Sequence, residues 1–322
     1  MRLLIYLPLL IPALAAVAAR PLAARLEPRE ATWLLTAATV ILAGCSTAAL
    51  ALLVASAAAQ VPVLAEMGHY SQPVLHRGDP TSAITGAVAA LVLTGAALAV
   101  AITFRRRARA LAESYRRAAR LHDDGTVVVV PGPAVEAYAL PGAPGRIVIS
   151  GRLFQALDEP GRSALLAHER AHLAGRHHLF TTMAYLAAAA NPVLLPLART
   201  VDYTVERWAD EHAAWVTGDR RLVAATIGQV AMLATPAPRP AAAAALGIVT
   251  TRPRRVPARS RRISVAWAGP VPRRVAALLA PPPRTRAVLL AAAVLVVLLA
   301  GASALQAARD LHALLELAHG IH

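Results

Sequence analysis

Four long apolar runs, none with a charged side chain inside it, restrict what this chain can fold into. They are Leu3–Ala19, a stretch within Trp33–Ala59, Ser82–Phe104, and Ala287 to about Ala304. A helix needs roughly 20 apolar residues to cross the hydrocarbon of a bilayer. Inside it, every backbone N–H and C=O must find its partner within the helix itself. About four transmembrane helices are therefore expected. Aromatics make up only 4% of the chain while 57% is apolar, and the apolar mass is mostly Ala, Leu and Val, which suits lipid-facing helices better than one large soluble core. In the first run Ala16-Val17-Ala18 resembles a signal-peptide cleavage site. Pro8 and Pro12 interrupt that run and three more spans follow, so it is read as a retained helix.

The 33 basic side chains are all Arg, and the formal net charge is +15. Their placement sets an orientation, because cytoplasmic flanks of spans are enriched in cations. Arg20, Arg25 and Arg29 lie between spans one and two. Arg105, Arg106, Arg107 and Arg109 follow span three, and Arg284 and Arg286 precede span four. The loop from Val61 to Pro80 holds only Arg77 against Glu66 and Asp79. The expectation is a multi-pass cell-membrane protein with its N-terminus and C-terminal tail outside and residues 20–31 and 105–286 in the cytoplasm. A bacterial plasma membrane, with anionic headgroups as the lipid partner, suits the Arg-only, Ala-rich composition. No ordered nucleic-acid motif or interleaved aromatics accompany the charge, so no nucleic-acid partner is expected. The single cysteine, Cys45, excludes an internal disulfide and is read as a small buried side chain.

Between spans three and four, residues 105–235 have the pattern of a folded α+β unit. Val127–Val130, Val135–Leu140 and Arg146–Ser150 are short strand candidates separated by Pro/Gly turns, expected to form a small antiparallel sheet. Asp158 is placed to cap a helix that has Pro160 in its first turn and runs to about Ala174, with Gly175 as its end. A second helix is expected from about Val201 to Val216. The apolar run Leu179–Leu197, broken by Asn191, Pro192 and Pro196, is either a buried helix or a hairpin dipping into the membrane. Residues 236–286 hold eleven Arg and no acidic residue, and are expected to be a basic linker along the headgroups, with a short amphipathic helix over Pro272–Ala280.

The first of those helices contains His168-Glu169-Arg170-Ala171-His172. Residues four apart share a helix face, so both imidazoles can reach one ion. Zinc takes such neutral nitrogens in a tetrahedral site with three protein ligands and one open position. Glu169, turned roughly 100° from His168, is placed to take a proton from the attacking water and hand it to the leaving amine. Glu206, in Glu206-Arg207-Trp208-Ala209-Asp210, is the candidate third ligand. Asp210, one turn on, is the candidate carboxylate to orient a ligand imidazole. Without a compensating partner, two carboxylates on one face repel. His177 and His178 are read as capping the C-terminus of the first helix.

H-E-x-x-H followed by E-x-x-A-D resembles the gluzincin membrane peptidases of the HtpX and CAAX-prenyl-protease clan. Ala137-Tyr138-Ala139-Leu140-Pro141-Gly142 is similar to the edge strand of that clan. The four-span layout resembles the β-lactam sensor-transducer peptidases, though no penicillin-binding sensor domain is expected. The resemblance implies one Zn²⁺ per chain on His168, His172 and Glu206, with Glu169 as general base and Asp210 behind the ligands. It also implies a substrate strand added along Tyr138 and Ala139. Relatives often carry Arg three residues before the third ligand, where Tyr203 stands here, so oxyanion stabilisation is unassigned, with Tyr203 and His212 as candidate donors. The expected function is a membrane-bound zinc metalloendopeptidase acting on protein or peptide substrates. The alternative is a transmembrane signalling receptor whose peptidase-like domain is regulatory or cleaves a repressor.

Overall fold

The computed structural model describes residues 6–61, 83–121, 125–234, 269–282 and 287–319. The loop after Val61 with Arg77, His122–Asp124, most of the basic linker, and Arg284 and Arg286 lie outside the described residues.

The chain is mainly helical. Helices α1 (Leu7–Arg25), α2 (Pro28–Ala59), α3 (Ala83–Arg120) and α10 (Ala287–His319) are the four that are long and apolar enough to cross a membrane. α1 and α2 form an antiparallel pair closed by a short turn in which Leu26 is fully buried. α2 and α3 pack closely, since a methyl group on Gly86 would collide with Ala57. Small residues commonly let helices approach in this way where no hydrophobic effect drives them together. α3 does not stop at Phe104. It runs on through Arg105–Arg107 to Arg120, 38 residues in all, because Ala, Arg, Leu and Glu are good helix formers and Glu113 pairs with Arg117 one turn on.

The sheet that follows comprises β1 (Val127–Val130), β2 (Ala137–Leu140) and β3 (Arg146–Ser150) in the order β1-β3-β2. β2 and β3 are antiparallel, with Tyr138 opposite Val148. β1 is parallel to β3, with Val128 opposite Val148. The sheet is therefore mixed, not antiparallel as the sequence suggested. The tight turn between β2 and β3 uses one edge of β3 for the hairpin. β1 takes the other edge, with β2 itself serving as the crossover. Leu140 and Val148 pack on Ala118 near the end of α3, which ties the sheet to the helix emerging from span three.

A short α4 (Gly151–Ala156) leads to α5 (Glu159–Ala174). Asp158 caps α5 by accepting from the Gly161 N–H at 2.9 Å, an interaction worth about 1 kcal/mol. α6 (His177–Ala190), a 3₁₀ turn at Pro192–Leu194 and α7 (Leu195–Thr217) then form a helical hairpin. α7 starts six residues before the expected Val201 because Pro196 sits in its first turn rather than breaking it. The hairpin shares one apolar core with the spans, with Phe180, Ala184, Leu194 and Leu197 packed among Ile11, Leu35 and Leu42.

α8 (Arg220–Leu233) and α9 (Pro270–Leu279) complete the described fold. The sequence assigned α9 to a linker lying on headgroups. Instead it docks on the folded unit, with Leu278 buried beside Ala213, Ala214, Val223 and Ala224. Arg220 donates to the Ala277 and Leu278 carbonyls at 3.0 Å and also pairs with Glu211. A cation at these orphan carbonyls fixes the end of α9.

Candidate metal centre

α5 and α7 lie side by side and bring three donor residues together. The Nε2 atoms of His168 and His172 are 3.1 Å apart. Glu206 Oε2 is 3.6 Å from His168 Nε2, and Oε1 is 3.6 Å from His172 Nε2. One ligand atom from each residue lies within 4.8 Å of the others. An ion with bonds of 2.0–2.1 Å in a tetrahedral site would hold its donors roughly 3.3 Å apart, so this donor set fits zinc in both chemistry and spacing.

Each ligand is held from behind. His168 Nδ1 lies 3.1 Å from Asp210 Oδ1, and Asp210 is fully buried. A carboxylate this close favours a proton on Nδ1, which would leave Nε2 free for an ion. His172 has a different support: its Nδ1 is 3.0 Å from Nδ1 of His177. If His172 ligates through Nε2, its Nδ1–H donates and His177 must accept. Burial and the neighbouring His172 push the His177 pKa down to about 2, so His177 stays neutral and able to accept. The sequence reading of His177 as a helix cap is thus corrected. It opens α6 rather than closing α5, and its ring folds back over Gly175. A Cβ at Gly175 would lie 2.6 Å from His177 Cδ2, and Arg176 adopts φ 49° to make the turn. Glycine followed by a left-handed residue was the local signal of this reversal. The His177 ring also rests 4.5 Å from Trp208, which meets Phe180 at 5.8 Å, and Phe180 meets Trp33 of α2 at 4.7 Å. An aromatic line thus joins the centre to the first turns of α2.

Arg274, from α9, was not singled out by the sequence. It is buried, with Nη1 2.8 Å from Glu206 Oε2, Nε 2.8 Å from Asp210 Oδ2 and Nη2 2.5 Å from Asp210 Oδ1. It supplies the counter-charge that the Glu206–Asp210 pair demanded. Burial alone would raise the Glu206 pKa, but Arg274 and the imidazoles outweigh it and hold it at about 2. Arg274 and His168 likewise outweigh burial and depress Asp210.

Glu169 is buried beside this cluster, and burial raises its pKa to about 7. Its Oε2 has no hydrogen-bond partner among the described residues. Hydrogen bonding from the backbone of Ala139 acts in the opposite direction to burial, which puts Glu169 next to β2. That strand pairs only with β3 among the described strands, so its other edge, beside the centre, has no partner strand there. Tyr138 is half-buried and Ala139 buried on it. Of the two oxyanion candidates, Tyr203 lies under the Arg273 guanidinium at 4.1 Å. His212 stacks on the exposed Trp215, on another side of α7 from Glu206. Neither is brought against the three donors.

Comparison with protein families adds an independent line. Residues 101–189 match the model of peptidase family M48. The matched segment runs from the middle of α3 through the sheet and α5 nearly to the end of α6. It contains His168, Glu169 and His172, stops before Glu206, and supports a metallopeptidase. No curated protein and no solved structure was found to match the chain. In M48 terms the family match speaks for the H-E-x-x-H half of the site, while Glu206, Asp210 and Arg274 stand on geometry alone.

Two measurements follow from this arrangement. In the metal-free state burial would lower the His168 pKa, but Asp210 and Glu206 outweigh it and raise it to about 10. His172 falls to about 4, chiefly through burial. At pH 7 His168 therefore carries a proton that a ligating imidazole cannot keep. Zinc uptake at that pH is expected to release at least about one proton per ion, read by calorimetry in buffers of different protonation enthalpy. No release would mean that His168 is already neutral without the metal or does not ligate it. Second, His177→Ala is expected to weaken zinc binding by about 10–100-fold, measured by competition with a chelator. Unchanged affinity would leave His177 a packing residue only.

Proposed function

We propose that this chain is a membrane-bound zinc metalloendopeptidase that hydrolyses peptide bonds of protein or peptide substrates at the inner membrane face. The observation that carries this reading is the convergence of His168, His172 and Glu206, with Glu169 buried beside them and, alongside, an edge of β2 that has no partner among the described strands. A zinc ion held by those three residues would supply Lewis acidity toward water and the scissile carbonyl.

The remaining work falls to the chain's own residues. Glu169 takes the proton of the attacking water. Its apolar surroundings keep its basicity near neutrality, which suits a group that must later give the proton to the leaving amine. Asp210 and His177 hold the two imidazoles in register. Arg274 keeps Glu206 and Asp210 ionised in a buried setting. The outer edge of β2, at Tyr138 and Ala139, pairs with the substrate backbone and lays the scissile bond across Glu169.

The spans, residues 1–104 and 287–322, anchor this unit, and residues 105–235 together with α9 form it. The arginines after span three and between spans one and two support a cytoplasmic placement. Nothing in the described residues favours the receptor alternative over hydrolysis.

The first test is zinc per chain by elemental analysis on detergent-purified protein. One zinc ion per chain is expected in the wild type and a clear loss in Glu206→Ala. Equal zinc in both would remove Glu206 from the ligand set. No zinc in folded wild type would overturn the proposal.

A further inference from the structure

The hairpin of α6 and α7 ends in an apolar tip. Asn191 Nδ2 lies 3.0 Å from Ser46 Oγ, and Ser46 Oγ is 2.9 Å from the Pro8 carbonyl. Ser46 stands near the midpoint of α2, and Pro8 belongs to α1. Pro8 stands in the first turn of α1, so the tip lies beside the middle of α2 and the N-terminal end of α1, far from the turn at Leu26 that joins the two helices.

A second set of contacts fixes the depth from the other side. Arg107, in the basic cluster that ends the apolar part of α3, stacks on Tyr185 of α6 at 4.6 Å and reaches Thr182 at 3.5 Å. Tyr185 in turn donates to Asp202 of α7 at 2.6 Å. These polar groups mark one level across α3, α6 and α7. Beyond it, from Leu186 to Ala198, the hairpin carries no charged residue. Val193 lies eight residues past Tyr185, roughly 10 Å deeper at helical rise, and is 45% exposed. The polar groups at the turn are satisfied internally. Asn191 Oδ1 accepts from the Val193 N–H at 3.1 Å, and its amide is spent on Ser46. In hydrocarbon a backbone polar group must find its partner within the protein, and the turn's Asn191 and Leu194 N–H groups donate to the Ala187 and Asn191 carbonyls at 3.0 Å.

We propose that the segment from Leu186 through the 3₁₀ turn to Ala198 forms a re-entrant hairpin whose exposed tip at Val193 contacts lipid acyl chains. It enters and leaves on one side of the bilayer, so the histidines of α5 and Glu206 of α7 remain on that side together. α7 is then a single helix that begins in hydrocarbon and carries Glu206 and Asp210 out of it. The inference rests on the reading of the four long helices as spans.

The chain's one cysteine makes a clean test. In a Cys45→Ala background, single cysteines at Val193, Leu98 and Met232 are labelled with bimane and reconstituted into phosphatidylcholine–phosphatidylglycerol vesicles. Leu98 is 61% exposed on span three and Met232 is 83% exposed on α8. The probe is lipid brominated at mid-chain, and retained zinc reports that each variant is folded. The expected result is loss of fluorescence at Val193 comparable with that at Leu98, with Met232 unaffected. Quenching at Leu98 but not at Val193 overturns the hairpin while leaving the spans intact. No quenching at Leu98 overturns the reading of the spans and the proposal with it.

Discussion

Replacing Glu169 by Gln is expected to lower turnover by about 10²–10⁴-fold while leaving zinc content unchanged. The amide is close in size to the carboxylate and removes only the ability to accept a proton. Glu169 is not among the three donors that converge, so the ion should stay. The loss should appear in kcat and kcat/KM alike, since substrate is held by the β2 edge rather than by Glu169. Cleavage of a quenched fluorescent peptide by detergent-purified protein reads the rate, and elemental analysis reads the zinc. Full turnover in Glu169→Gln would assign the base elsewhere. A parallel loss of zinc would make Glu169 a ligand.

Arg274→Gln is expected to cost about 3–5 kcal/mol in the zinc-free protein. The guanidinium sits between Glu206 and Asp210, both buried, and removing one member of a buried ion cluster leaves the others uncompensated. With zinc bound the cost should be smaller, because the ion then balances Glu206. Thermal unfolding in detergent, with chelator and with zinc, separates the two states. An unchanged midpoint in chelator would show that Arg274 does not hold those charges.

The sequence carried α5 to within a residue, because Asp158, Pro160 and Gly175 are local signals with local causes. It also carried the four long helices, whose apolar length is dictated by lipid. The sheet was half legible. The β2–β3 hairpin is written in its turn, but the parallel pairing of β1 is a non-local outcome that no window of residues encodes. The site shows the same division. Spacing along α5 placed His168 and His172 on one face. The like-charge pair Glu206–Asp210 announced that a cation was required, but not which of many arginines would supply it. Arg274 comes from beyond a long stretch of chain, and one Arg in a basic run looks like any other. His177 was misread because its position suggested a helix end, whereas the reversal at Gly175 and Arg176 turns it inward.

The unbroken course of α3 has a mechanical consequence. One rigid rod passes from the hydrocarbon to the strands, with no hinge at the bilayer surface. Ala118, against which β2 and β3 rest, stands roughly 17 Å beyond Arg107 at helical rise. Helices change tilt when hydrocarbon thickness changes, and a rotation of about 10° on that arm would displace its far end by roughly 3 Å. If span three lies in lipid, a change in its tilt would thus be carried directly to the strands that rest on Ala118.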